Sequence, residues 1–179
     1  PLIENITQKI KTLVKGYKYV VYTALYGDVD DLYDPVGPLS NDILFICFTD
    51  RLDIKSDVWT IIHEESNLDS RMAAKYWKFF GYKAFNADIK YTLWVDASIQ
   101  IIDSILPLLD DISMKYPHSS IITFHHPKRD CVYSEIFWVL ILNISIPQKN
   151  TFYLYIFFAF YWQIGLTLLL YTQKNEVIN

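Results

Sequence analysis

Two short runs in this chain are apolar or β-favouring on both faces, residues 44–48 (LFICF) and 91–95 (YTLWV). Residues 17–25 (YKYVVYTAL) form a third such run once Lys18 is passed. Strands with no polar face fit the middle of a parallel sheet covered by helices on both sides. Residues 58–62 (VWTII) and 120–124 (SIITF) read as further strands of the same kind. Helical spacing alternates with them. Residues 4–15 place Ile6, Ile10, Leu13 and Val14 on one face, and Gly16 follows as a stop. Ser70 is placed to cap a helix running to about Phe80 and closed by Gly81, with Met72, Ala73, Tyr76 and Phe80 packing inward. Residues 99–114 carry Ile101, Ile102, Ile105, Leu108 and Leu109 at helical spacing, with a kink expected at Pro107. Strands alternating with helices predict an α/β three-layer fold with a mainly parallel sheet.

The order changes after residue 135. Residues 136–171 hold few strongly polar positions, notably Asn143, Gln148, Lys149, Asn150 and Gln163. The stretch 152–171 (FYLYIFFAFYWQIGLTLLLY) has the ~20-residue length of a membrane span, so membrane association through it is one expectation. Its crowded aromatics and central Gln-x-Gly fit buried sheet or helix equally well, as does a reading-frame alteration. The expected division is therefore 1–135 as the α/β domain and 136–179 as an atypical apolar tail, the remainder of the domain or a truncated or frame-altered end.

Composition narrows the class. With 179 residues, 52% hydrophobic and 20% charged, the chain has enough apolar surface for one packed domain and is no disordered segment. A net charge of −4 gives no basic footprint for a nucleic-acid partner. Its two cysteines, Cys47 and Cys131, are too few for a disulfide framework or a cysteine zinc site, and Cys47 reads as a buried small hydrophobe. The chain opens at Pro1 without a leader pattern, reads as a fragment or clipped chain, and names no compartment.

Polar residues collect where the strands end, which is where ligands bind in sheets of this type. Asp96 and Ser98 follow the 91–95 strand, and extended geometry would send both to one side. An Asp-x-Ser pair of oxygen donors can hold manganese or magnesium against a phosphate, or Asp96 can simply cap the next helix. Tyr26-Gly27-Asp28 and Asp30-Asp31 follow the first strand, placed for a base or ribose or for a solvated turn. Arg71, Lys75 and Lys78 share one helix face, either solvated or set for a diphosphate, with Arg71 in the first turn where the dipole favours an anion by ~0.3–1 kcal/mol. His63 reads as a surface loop residue. His125-His126-Pro127-Lys128-Arg129-Asp130-Cys131 is the densest polar cluster. A hydrolase built on Cys131 with His126, or Ser98 with His125, lacks a recognisable nucleophile motif.

Five segments in order carry a resemblance: Tyr-Thr-Ala-Leu-Tyr-Gly-Asp (22–28), Ile-Cys-Phe-Thr-Asp (46–50), Arg-x-x-Ala-Lys-Tyr-x-Lys (71–78), Leu-Trp-Val-Asp-Ala-Ser (93–98) and His-Pro-x-Arg-Asp-Cys-x-Tyr-x-Glu (126–135). Over residues 17–135 the chain resembles the glycosyltransferase-like family that includes the plant turgor-regulation and mucilage proteins. The resemblance implies a Rossmann-like GT-A type fold and a nucleotide-sugar donor. It also implies metal-assisted transfer to a glycan or other hydroxyl acceptor, or a decayed domain that binds such ligands without turnover. Asp96 and Ser98 would stand at the metal motif, and Arg71 and Lys75 at the diphosphate. Tyr26, Asp28 and Asp50 would lie near base and ribose. The 126–135 segment would face the donor sugar or acceptor, with His126, Asp130 and Glu135 as the expected catalytic groups. The pattern departs from the family at three places: Ser98 replaces a second carboxylate, Gly81-Tyr82 stands where Pro-His is common, and 136–163 lacks the family's charged helix.

Overall fold

The computed structural model describes residues 2–28, 30–85, 88–123 and 168–172. The chain divides into two compact units, residues 1–122 with 169–179, and residues 123–168. The helices and the parallel strands lie in the first.

Strand β1 (Tyr19–Leu25) is buried at every position and pairs in parallel with β2 (Ile43–Thr49) on one edge and β4 (Tyr91–Val95) on the other. β2 pairs in parallel with β3 (Thr60–His63). With β5 (Ile121–Thr123) and β6 (Leu168–Thr172), the sheet order is β3-β2-β1-β4-β6-β5. The helices are α1 (Leu2–Leu13), α2 (Ser70–Phe80), which runs into a 3₁₀ turn at Gly81–Ala84, and α3 (Leu106–Lys115).

Strand alternation sorts the helices into layers. The register sets Tyr22 beside Trp94 and Ala24 beside Phe48, so these side chains share a face. On that face Phe48 stacks on Trp77 of α2 at 3.6 Å and 5°, and Tyr22 meets Trp94 and Phe85 edge-on. Tyr19, of opposite parity, donates its hydroxyl proton to Asp110 of α3 at 2.6 Å, and Tyr91 donates to the Tyr116 carbonyl just beyond α3 at 2.8 Å. One helix lies above the sheet and one below. The fold is an α/β three-layer arrangement around a mostly parallel sheet, as the alternating runs predict. Cys47 is buried within β2, and burial pushes its thiol up to about 12.

Local details differ from the sequence expectation. Asp69, not Ser70, caps α2: its carboxylate accepts from the Met72 N–H at 3.1 Å. Gly81 does not stop the chain in a left-handed turn; it keeps right-handed angles (φ −57°, ψ −33°) and passes into the 3₁₀ turn. A glycine stands there because a Cβ would lie 2.7 Å from the Tyr22 ring. Trp77 and Ala73 are the buried residues of α2, while Tyr76 and Phe80 are 38% and 47% exposed. The helix expected over 99–114 begins only at Leu106, and Pro107 sits in its first turn, where a missing N–H costs nothing. Residues 99–105 are held otherwise: the Ile101 carbonyl accepts from Val36 N–H at 2.8 Å. Of the apolar stretch 152–171, the end belongs to β6 and the rest lies outside the described residues. Among the described residues no helix is long and apolar enough to cross a membrane.

From β1 the chain steps outward to β2 and β3, and then returns by α2 to β4 on the other side of β1. That reversal places the topological switch point at the carboxyl ends of β1 and β4, the position where open α/β sheets bind ligands.

Candidate functional site

The first wall grows from the end of β1. Gly27 turns the chain with φ +69°, and a Cβ there would lie 2.9 Å from Ser70 Oγ, so the start of α2 is pressed against the strand end. The Gly27 N–H donates to Asp50 Oδ1 at 3.1 Å, joining the ends of β1 and β2. Tyr26 is buried and donates its hydroxyl proton to Glu64, just past β3. The Trp77 indole N–H lies 2.7 Å from the same Glu64 oxygen and 2.8 Å from the Tyr26 hydroxyl, donating to both. Burial, and then the Glu64 carboxylate, push the Tyr26 hydroxyl far above the usual phenol range, so it remains a donor.

The second wall is the end of β4. Trp94 and Asp96 fall on one face by alternation, and the Trp94 indole N–H donates to Asp96 Oδ1 at 2.6 Å. Lys78 of α2 pairs with that same oxygen at 3.0 Å, its ammonium 5.8 Å above the Trp94 ring. The pair is partly shielded, with Lys78 17% and Asp96 33% exposed.

The face of α2 joins the two walls. Arg71, Lys75 and Lys78 recur at four- and three-residue spacing along it. Arg71 is exposed and the two lysines half-buried. Lys75 is pushed down to about 8, first by burial and then by repulsion from Arg71 and Lys78. Three cations thus share one face of α2.

The structure therefore brings Tyr26, Asp50 and Asp96 to the same edge of the sheet, with Arg71 and Lys75 on the helix whose start packs against Gly27. Asp28 is exposed beyond β1 in an acidic loop, and Arg51, paired with Asp53 at 2.7 Å, donates to the Asp30 carbonyl at 3.1 Å. The strand alternation expected to pair Asp96 with Ser98 stops at Val95. The Ile99 N–H donates to the Asp96 carbonyl at 2.9 Å, closing a turn that leaves Ser98 exposed. His126, Asp130 and Glu135 lie outside the described residues, as do His125 and Cys131. His63 is exposed at the end of β3.

The Lys78 ammonium and the Trp94 indole N–H both meet Asp96 at Oδ1, and Ser98 does not stand beside it, so the two-oxygen pair expected from Asp96 and Ser98 is not formed. Among the described residues no group of three or more His, Cys, Asp or Glu is placed to hold a metal.

Glu64, Trp77 and Trp94 were not among the residues the sequence singled out. Trp94 had a legible signal, since Trp94-x-Asp96 puts ring and carboxylate on one strand face. Trp77 carried the helical signal of an ordinary core aromatic, and Glu64 that of a loop acid.

No curated protein and no solved structure matches the chain. The family model described as TOD1/MUCI70, glycosyltransferase-like domain, matches residues 4–176, extending beyond both ends of the 17–135 resemblance. With nearly its whole length covered, the chain belongs to this glycosyltransferase-like family.

Proposed function

We propose that the protein transfers a glycosyl group from a nucleoside diphosphate donor to a hydroxyl acceptor. The observation that carries this reading is the switch point between β1 and β4 with the Arg71–Lys75–Lys78 face of α2 beside it. A departing diphosphate develops negative charge, and fixed cations at its oxygens lower the barrier to its departure. Arg71 offers a planar fork of donors for phosphate and the lysines offer point charges. Tyr26, Asp28 and Asp50 stand at the ends of β1 and β2, where base and ribose would lie. The 126–135 segment would carry the group that activates the acceptor hydroxyl, with His126, Asp130 and Glu135 as the choices.

The absence of a second carboxylate at Ser98 favours one alternative, a domain that binds the nucleotide-sugar without turnover. A panel of nucleotide-sugars with simple glycan acceptors separates the two: transfer products support the enzyme, and saturable binding without product supports the alternative. Arg71→Ala is expected to weaken nucleoside diphosphate binding by about tenfold or more, the value of a charge-assisted hydrogen bond. Wild-type affinity in Arg71→Ala and Lys75→Ala alike would remove the basis of both readings.

A further inference from the structure

We propose that Lys78 supplies at Asp96 the positive charge that a divalent cation would otherwise bring, so that this strand end binds a nucleoside diphosphate without metal. This rests on the diphosphate reading and specifies its electrostatics.

Two features support it. First, Asp96 is held for an ammonium. The Trp94 indole N–H fixes Oδ1 at 2.6 Å, Lys78 Nζ sits 3.0 Å from the same atom, and the Trp94 ring lies beneath the ammonium. An ammonium carries three donors, so contact with Asp96 is compatible with contact to a phosphate oxygen. Second, Ser98 lies exposed in a turn instead of beside Asp96. The short oxygen-ligand pair that would select a hard cation is absent at this strand end.

Lys75 lies on the same helix face, pushed down first by burial and then by repulsion from Arg71 and Lys78, and an arriving anion offsets the second of these.

The test uses the full chain with GDP and UDP as probes, each titrated calorimetrically in EDTA and in manganese. A parallel titration follows the free manganese signal by electron paramagnetic resonance. Lys78→Met keeps the aliphatic stem, Lys78→Arg keeps the charge, and Lys83→Met serves as a control away from Asp96. The expected result is affinity unchanged within about twofold by manganese, well inside the tenfold that one charge-assisted contact represents. Lys78→Met then weakens binding about ten- to hundredfold with or without metal, Lys78→Arg restores part of it, and Lys83→Met binds as wild type. The protein alone leaves the manganese signal intact. Binding that appears only with manganese overturns the inference and leaves the diphosphate reading standing. Metal-free binding that survives Lys78→Met also overturns the inference. No binding of either nucleotide in any condition overturns the diphosphate reading, and the inference with it.

Discussion

Replacing Trp77 by Phe isolates the contact that locks α2 to the sheet. The substitution keeps an aromatic ring over Phe48, against which the indole now stacks at 3.6 Å and 5°. It deletes the N–H that lies 2.7 Å from Glu64 and 2.8 Å from the Tyr26 hydroxyl. A hydrogen bond to a charged acceptor contributes about 1.5–3 kcal/mol. The lost indole surface, buried at this position, adds about 1 kcal/mol. Together the cost is about 2.5–4 kcal/mol. For a chain of 179 residues this lowers Tm by about 5–16 °C. Urea titration of four proteins closes the cycle: wild type, Trp77→Phe, Glu64→Gln and the double variant. A neutral acceptor holds the indole less tightly, so Trp77→Phe costs less in the Glu64→Gln background, with a coupling of about 0.5–3 kcal/mol. A loss under about 1 kcal/mol, identical in both backgrounds, would show that the indole contributes packing alone.

Two further substitutions probe the same helix and its end. Gly81→Ala drives a Cβ to 2.7 Å from the Tyr22 ring, and overpacking of this kind costs about 1–3 kcal/mol by urea unfolding; an unchanged midpoint would mean that the ring moves freely. Lys75→Met removes an ammonium whose folded value, about 8, is below its unfolded value of 10.5. Below pH 8 both states hold the proton and the native state bears the cost, which disappears as pH rises toward 10.5. Lys75→Met therefore raises Tm at pH 7, and the gain shrinks between pH 8 and 10.5; a gain that is constant with pH would assign it to packing.

The framework of the fold was legible because its strands are buried on both faces. The runs that became β1, β2 and β4 needed no partner to be recognised. Position along the chain was less legible where chemistry competes with periodicity. Ile101, Ile102 and Ile105 have helical spacing, yet the backbone at Ile101 bonds to Val36, and Pro107 suits the start of a helix better than its middle. At the site, Arg71, Lys75 and Asp96 were visible as charges at predictable places. The ion pair between Asp96 and Lys78 was not, because it joins residues eighteen apart through a crossing of helix over strand that no local spacing encodes. Glu64 stayed hidden for the same reason, its partners being Tyr26, just past β1, and Trp77 of α2.

β1 is tied at its start by Lys18 and Tyr19 to Asp110, hydrogen-bonded along both edges, and joined at its end through Gly27 to Asp50. Its amides have no route to solvent short of disrupting the sheet, so they are expected to exchange their hydrogens only when the whole unit opens. The strand end that carries Tyr26 thus continues a strand expected to exchange slowly among the described residues. If the proposed diphosphate binds at this edge, it meets a strand already set, and no ordering cost falls on β1.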